Sequence, residues 1–199
     1  MLSILMIGAG GIGGYYGARL AEAGHRVVLT ARGAHLAALQ EKGLVVHYQE
    51  RLIERHLPAV DHAALMRDYQ PADFDAIVIT LKSTATKAVL NELAPWLAQS
   101  DVPVLSLQNG VDNEPMIARV LGESRVLGGL AVRIGGHVVE PGVVEAEGVA
   151  QIVMGEWPCI PGNRTPVARF WKSCKTPLNK LAFLLRFQMI FVMSSGANW

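Results

Sequence analysis

The string Gly8-Ala9-Gly10-Gly11-Ile12-Gly13 constrains the fold of this chain more than any other feature. It follows a continuous apolar run over residues 2–7. It precedes residues 15–23, whose apolar positions keep helical spacing until Gly24. A second β-branched run, residues 26–31, completes a βαβ unit of about 30 residues, and the crossover rule makes its two strands parallel. In that context, after a strand and opening a helix, a G-x-G-x-x-G pattern carries meaning that it lacks alone. Gly8 permits the tight turn, Gly10 lets a pyrophosphate approach the backbone, and Gly13 permits close helix–sheet packing. The stretch, with Gly11 and Ile12 between the second and third motif glycines, leads into a helix whose N-terminus supplies free N–H groups and the positive end of its dipole. A glycine turn needed only for packing is the alternative, and the intact βαβ unit disfavours it.

The rest of the chain extends the same pattern. Residues 34–42 read as a helix ended by Gly43, and residues 44–58 as hairpin strands of mixed polarity. Residues 75–81 (DAIVITL) are the next buried strand, residues 84–98 suit a helix, and residues 102–107 (VPVLSL) form another strand. After Gly128 the texture changes to glycine-punctuated β segments joined by Pro141-Gly142, expected to be a smaller antiparallel edge. The fold class expected is α/β, a Rossmann-type doubly wound parallel sheet with an antiparallel edge.

Composition narrows the partners. With 51% hydrophobic and 18% charged residues the chain can build a core and is too apolar for a disordered one. A formal charge of +1 gives no general pull towards nucleic acid or anionic lipid, so any anion site must be local. Cys159 and Cys174 lack metal-ligand spacing, which disfavours a zinc site or disulfide framework and makes a reducing cytoplasm the expected location. The first residues carry no basic n-region and read as a buried strand rather than a signal peptide. The apolar stretch LAFLLRFQMIFVMSS is interrupted by Arg186 and Gln188 and falls short of the ~20 residues that span a bilayer, so no membrane partner is expected.

Where an NAD-preferring site would place an acid at the end of the second strand, this chain has Thr30-Ala31-Arg32. Without that acid a 2′-phosphate meets no repulsion, and the Arg32 guanidinium can pair with it, so NADP is the cofactor expected. A solvated surface arginine is the alternative. Lys82 follows DAIVITL and Asn109 follows VLSLQ, both at strand C-termini where open α/β sheets bind ligands. Lys82 could hold a carboxylate or phosphate, and Asn109 could orient a hydroxyl; each could equally be a helix-start or turn residue. The six histidines show no paired spacing, and none is chosen as a base.

Together GAGGIGG, the strand-ending TAR with Arg32, TLK with Lys82, QNG with Asn109 and PGVVEAEG…IVMGE resemble the ketopantoate reductase family in order and spacing. The resemblance runs from Met1 to about Arg169, giving an NADP-binding domain over residues 1–169. It implies NADPH-dependent reduction of 2-dehydropantoate to pantoate on the route to coenzyme A, with a small 2-keto acid as partner; a homo-oligomer is left open. It also implies that residues 8–13 and Arg32 hold NADP, and that Lys82 and Asn109 face cofactor and substrate. A following all-helical domain would open with a W-x-K-L-like motif whose lysine is the general acid. Residues 170–199 do not read as that helix, so the catalytic residue is not assigned. In a shifted frame starting across Phe170 and Trp171, the degenerate code permits LEKLQDALEQAGIPAEVSDDIRHELWRKL. That string looks like the absent family segment. Residues 170–199 are therefore expected to be an aberrant, frameshifted tail, with the general-acid lysine encoded out of frame across Ala197 and Asn198. A genuine divergent tail is the alternative.

Overall fold

The structure is a computed structural model, which describes residues 1–157 and 189–191. Cys159, Cys174 and the tail reading, apart from residues 189–191, lie outside the described residues. In chain order the elements are β1 (Ser3–Ile7), α1 (Gly11–Glu22), β2 (Arg26–Thr30), α2 (Gly33–Glu41), β3 (Leu44–Tyr48), β4 (Arg51–Arg55) and β5 (Ala59–Val60). Then follow α3 (His62–Asp68), β6 (Ala76–Ile79), α4 (Thr86–Leu97), β7 (Val104–Ser106), α5 (Asn113–Leu121), β8 (Val126–Glu140), β9 (Val143–Glu156) and β10 (Met189–Phe191).

β1 reads as an unbroken apolar run because both of its faces are covered: Ile4 to Ile7 are all buried. It pairs in parallel with β2 on one side and β6 on the other. The sheet order is β4-β3-β9-β8-β7-β6-β1-β2-β5, with β10 also on β9. Counting only β1, β2, β5, β6, β7 and β8, which run parallel, the order is that of the doubly wound dinucleotide fold, with the switch point between β1 and β6.

The antiparallel part is larger than the sequence suggests. β8 and β9 are 15 and 14 residues long and pair antiparallel over most of their length. They do not form the rim themselves. The β3–β4 hairpin adds to the free side of β9, β3 running parallel to it, and so becomes the outer edge. Met189–Phe191 pairs in parallel with the far half of β9.

This extension curls the sheet around α1, and glycine makes the close approach available. A methyl group on Gly14 would sit 3.0 Å from Val144 Cγ2 of β9, and one on Gly17 would sit 2.9 Å from Leu29 Cδ2 of β2. α1 begins at Gly11, four residues before the apolar spacing becomes visible, because the glycines in its first turn carry no side chains to show a period. Inside the curl, Tyr15 and Tyr16 are fully buried, edge to face at 5.1 Å, and Tyr48 of β3 tilts against Tyr15 at 4.7 Å. Burial pushes both helix phenols well above the usual tyrosine range, so they stay neutral. The Tyr48 hydroxyl donates to Gly148 O at 2.7 Å, tying the hairpin to β9.

A second core fills the other face of the parallel sheet. Leu90, Leu93, Trp96 and Leu97 keep three- and four-residue spacing on α4 and pack with Leu5, Ile77 and Ile79 of the strands. Each such side chain contributes about 1.5–3 kcal/mol by leaving water. Arg125 is buried behind this core, donating to Leu97 O and Val102 O at 3.0–3.2 Å; these bonds join the end of α4 to the loop entering β7. Among the described residues, no helix is long and apolar enough to cross a membrane.

Candidate functional site

The turn between β1 and α1 is held by its own backbone polar groups. Gly8 has φ +105°, which favours glycine, and its N–H donates to Thr30 Oγ1 at 3.0 Å. Its carbonyl accepts from Thr80 Oγ1 at 2.7 Å. Ala9 N–H donates to Thr30 O at 2.8 Å, and Ala9 O lies 2.7 Å from His35 Nε2. The N–H and C=O groups of Gly8 and Ala9 are thus all used to fix the turn. The N–H groups of the first turn of α1, which no helix can satisfy internally, remain to receive an anion. No side chain caps α1 at Gly10, and a methyl group there would meet nothing within 4 Å. Gly13 is the opposite case: a methyl group there would overlap Gly8 O and Thr80 Oγ1.

A cavity of about 690 Å³ opens over this turn, within the range of small-molecule and cofactor sites. Gly8, Ala9 and Gly10 form its floor, and Thr30, Ala31 and Arg32 carry the end of β2 along one wall. The start of α3 and one face of α4 form the other wall, and Val138 reaches in from β8. Both of its acids have partners of their own. Asp61 Oδ1 accepts from Ala64 N–H at 2.7 Å as the N-cap of α3, and Glu92 lies 2.9 Å from His62 Nδ1. Arg32 is exposed at the cavity and, among the described residues, has no carboxylate partner. The cavity therefore sets the N-terminus of α1 beside a guanidinium, an arrangement suited to a ligand carrying phosphates at two points.

Of the residues chosen from sequence, Gly8, Ala9, Gly10 and Arg32 line the cavity. Gly11, Ile12 and Gly13 belong to the first turn of α1 beneath it. Lys82 and Asn109 are exposed and stand outside the lining, at the C-terminal ends of the adjacent strands β6 and β7. A buried chain of amides ties their two loops together. Gln108 Nε2 donates to Leu81 O at 2.8 Å and to Thr86 Oγ1 at 2.7 Å; the Thr86 hydroxyl donates to Asn113 Oδ1 at 3.1 Å. Asn113 Nδ2 donates in turn to Asn109 O at 3.0 Å.

Sequence reading passed over Thr80 and His35, and treated Thr30 only as a missing acid. His35 did have one local signal: it sits three residues beyond Arg32, in the first turn of the helix that follows β2.

The ketopantoate reductase PanE/ApbA family model matches residues 4–159. A 2-dehydropantoate 2-reductase of Pyrococcus horikoshii is 34% identical over 157 residues, which are 79% of this chain and 48% of that protein. A PanE/ApbA family ketopantoate reductase structure from Ralstonia eutropha JMP134 superposes with a TM-score of 0.76 at 26% identity, covering 96% of this chain and 56% of the other. The ternary structure of D-mandelate dehydrogenase with NADH and anilino(oxo)acetate gives a TM-score of 0.74 at 21% identity, covering 96% and 57%, a likeness of fold alone. The chain spans about half the length of the curated relatives it matches. The matched span runs from β1 to just beyond β9 and takes in the glycine turn, the cavity above it and the loops of Lys82 and Asn109; on this evidence the chain belongs to the ketopantoate reductase family of oxidoreductases.

Proposed function

We propose that this chain binds NADP(H) and forms the cofactor-binding half of a 2-dehydropantoate 2-reductase. One observation carries the reading: the glycine turn uses the polar groups of Gly8 and Ala9 for anchoring, and the cavity floored by Gly8, Ala9 and Gly10, at the N-terminus of α1, also holds Arg32. In this reading the first turn of α1 takes the pyrophosphate, Gly10 leaves room for it, and Arg32 takes the 2′-phosphate. When bound, the reduced nicotinamide supplies the hydride for the keto carbon. Lys82 and Asn109 are proposed to meet the substrate end, their separation fixed by the Gln108–Thr86–Asn113 chain.

Reduction also needs a proton on the developing alkoxide, and a positioned acid contributes about 10²–10⁴-fold to such a step. We assign that acid to the helical segment read out of frame across Ala197 and Asn198, and with it the cytoplasmic pantothenate-route role of the family. The test compares this chain with a frame-restored version. Both are expected to bind NADPH, and only the restored chain to reduce 2-dehydropantoate at a substantial rate. Equal, robust turnover by the 199-residue chain would remove the assignment of the acid, and absence of dinucleotide binding in both would remove the whole reading.

A second reading, dinucleotide binding without turnover, predicts fluorescence quenching by NADPH with no reduction of 2-dehydropantoate by the 199-residue chain. A third, a different 2-keto acid as substrate, is separated by assaying the restored chain against a panel of 2-keto acids.

A further inference from the structure

The glycine turn is buttressed from outside by the β8–β9 pair, which is no part of the bare βαβ unit. The backbone of Gly136 on β8 packs directly on Gly11, so close that a methyl group on Gly11 would overlap Gly136 and His137 N. The reverse turn at Pro141-Gly142 then folds down beside α2. Gly142 takes φ +83°, a methyl group on it would lie 3.1 Å from Ala38 Cβ, and its carbonyl accepts from Val45 N–H at 2.9 Å.

His35 joins the two. Its Nδ1 accepts from Gly142 N–H at 3.0 Å, and its Nε2 lies 2.7 Å from Ala9 O. A backbone N–H can only donate and a carbonyl can only accept, so these partners admit one form of the ring, neutral with the proton on Nε2. The ring is half-buried and lines the cavity beside the turn it holds.

We propose that His35 is a positioning residue for dinucleotide binding, its neutral Nε2–H form fastening the phosphate-binding turn to the β8–β9 arm. It acts through Ala9: fixing that carbonyl fixes the peptide plane that leads into Gly10 and the first turn of α1. The dinucleotide reading above supplies the ligand; the fastening itself is a property of the unliganded chain. Arg32, Asp61, His62 and Glu92 share the cavity, and Glu140 precedes the turn that His35 holds. Of these, Arg32 is the group placed for direct attraction of phosphate.

The test uses the full chain with His35→Leu, His35→Gln, His35→Asn and His35→Lys, and two readouts. Ring nitrogen chemical shifts of the unliganded wild type are expected to show a bare Nδ1 and a protonated Nε2. NADPH affinity, by fluorescence titration, is expected to fall about ten-fold in His35→Leu, the worth of one lost fixing bond. His35→Gln, whose amide can still donate to Ala9 O, is expected to recover most of the loss, and His35→Asn, which reaches only towards Gly142, much less. If His35→Leu does not fold, the Gln and Asn pair decides, and equal affinities of the two would overturn the proposal. So would a proton on Nδ1, wild-type affinity in His35→Leu, or tighter binding in His35→Lys, which would make the role one of direct charge. A wild-type chain that shows the expected ring form but binds no dinucleotide counts against the proposed function and leaves the fastening intact.

Discussion

Two glycines of one turn are expected to fail in opposite ways when each gains a methyl group. Gly10 has φ −70° and open space above it, whereas Gly13 faces Gly8 O and Thr80 Oγ1 within overlap distance. In Gly10→Ala the unfolded chain loses about 0.4–1 kcal/mol of backbone entropy, which favours folding, while alanine is a poorer N-cap by a similar amount. The net change in stability is therefore within about 0.5 kcal/mol, or about 2 °C in Tm for a chain of this size. In the proposed binding mode the same methyl group stands where the pyrophosphate approaches. Displacing one charge-assisted bond to the backbone costs about 1.5–3 kcal/mol, so NADPH affinity is expected to drop about 10–150-fold. In Gly13→Ala the clash is with backbone that cannot move aside, and the Thr80 bond to Gly8 O is strained with it. Overpacking and that bond together cost about 3 kcal/mol or more, lowering Tm by about 6–12 °C. Thermal unfolding and fluorescence titration on the same preparations separate the two. Wild-type affinity in Gly10→Ala, or equal destabilisation of both variants, would refute the role given to the open space.

Other expectations concern the scaffold. Arg125→Met removes the donors of two buried carbonyls, Leu97 O and Val102 O, and is expected to cost about 2–4 kcal/mol by urea denaturation with NADPH affinity unchanged; an unchanged midpoint contradicts it. His25 accepts from Leu2 N–H at 3.1 Å, and burial, helped by the N-terminal ammonium, holds its imidazole below the ordinary 6.5. The unfolded chain then takes up the proton first, so stability is full above pH 6.5 and is lost as pH falls from there through the lower folded value. Urea midpoints at pH 7.5 and 5.5 should differ more in the wild type than in His25→Gln, and equal differences would exclude the linkage.

The parts of the fold visible in the sequence are those that repeat or must be glycine. The strands expected over residues 2–7 and 75–81 hold the apolar stretches 4–7 and 76–79, unbroken because both faces of the parallel sheet are covered, and the structure centres both where expected. The antiparallel edge was visible as texture, yet its extent was not. β3 joins β9 across nearly a hundred residues of sequence, and such a pairing leaves no local periodicity. The site divides in the same way. Gly8, Gly10 and Arg32 are singled out by motif and spacing, whereas Thr30, Thr80 and His35 hold the turn through hydrogen bonds to backbone atoms distant in sequence. His35 and Gly142 stand 107 positions apart. A bond of that kind becomes legible only when the chain is folded. Lys82 and Asn109 show the converse: they stand at the C-terminal ends of β6 and β7 as strand ends suggest, but not in the lining of the cavity.

Calorimetric titration of the purified chain with NADPH and with NADH, repeated on Arg32→Ala, bears most directly on what the cavity holds. The expected result is measurable binding of both, tighter for NADPH by about 10–150-fold through the charge-assisted bonds to the 2′-phosphate, with that preference largely gone in the variant. No binding of either dinucleotide, or a preference for NADH that the substitution leaves untouched, would contradict it.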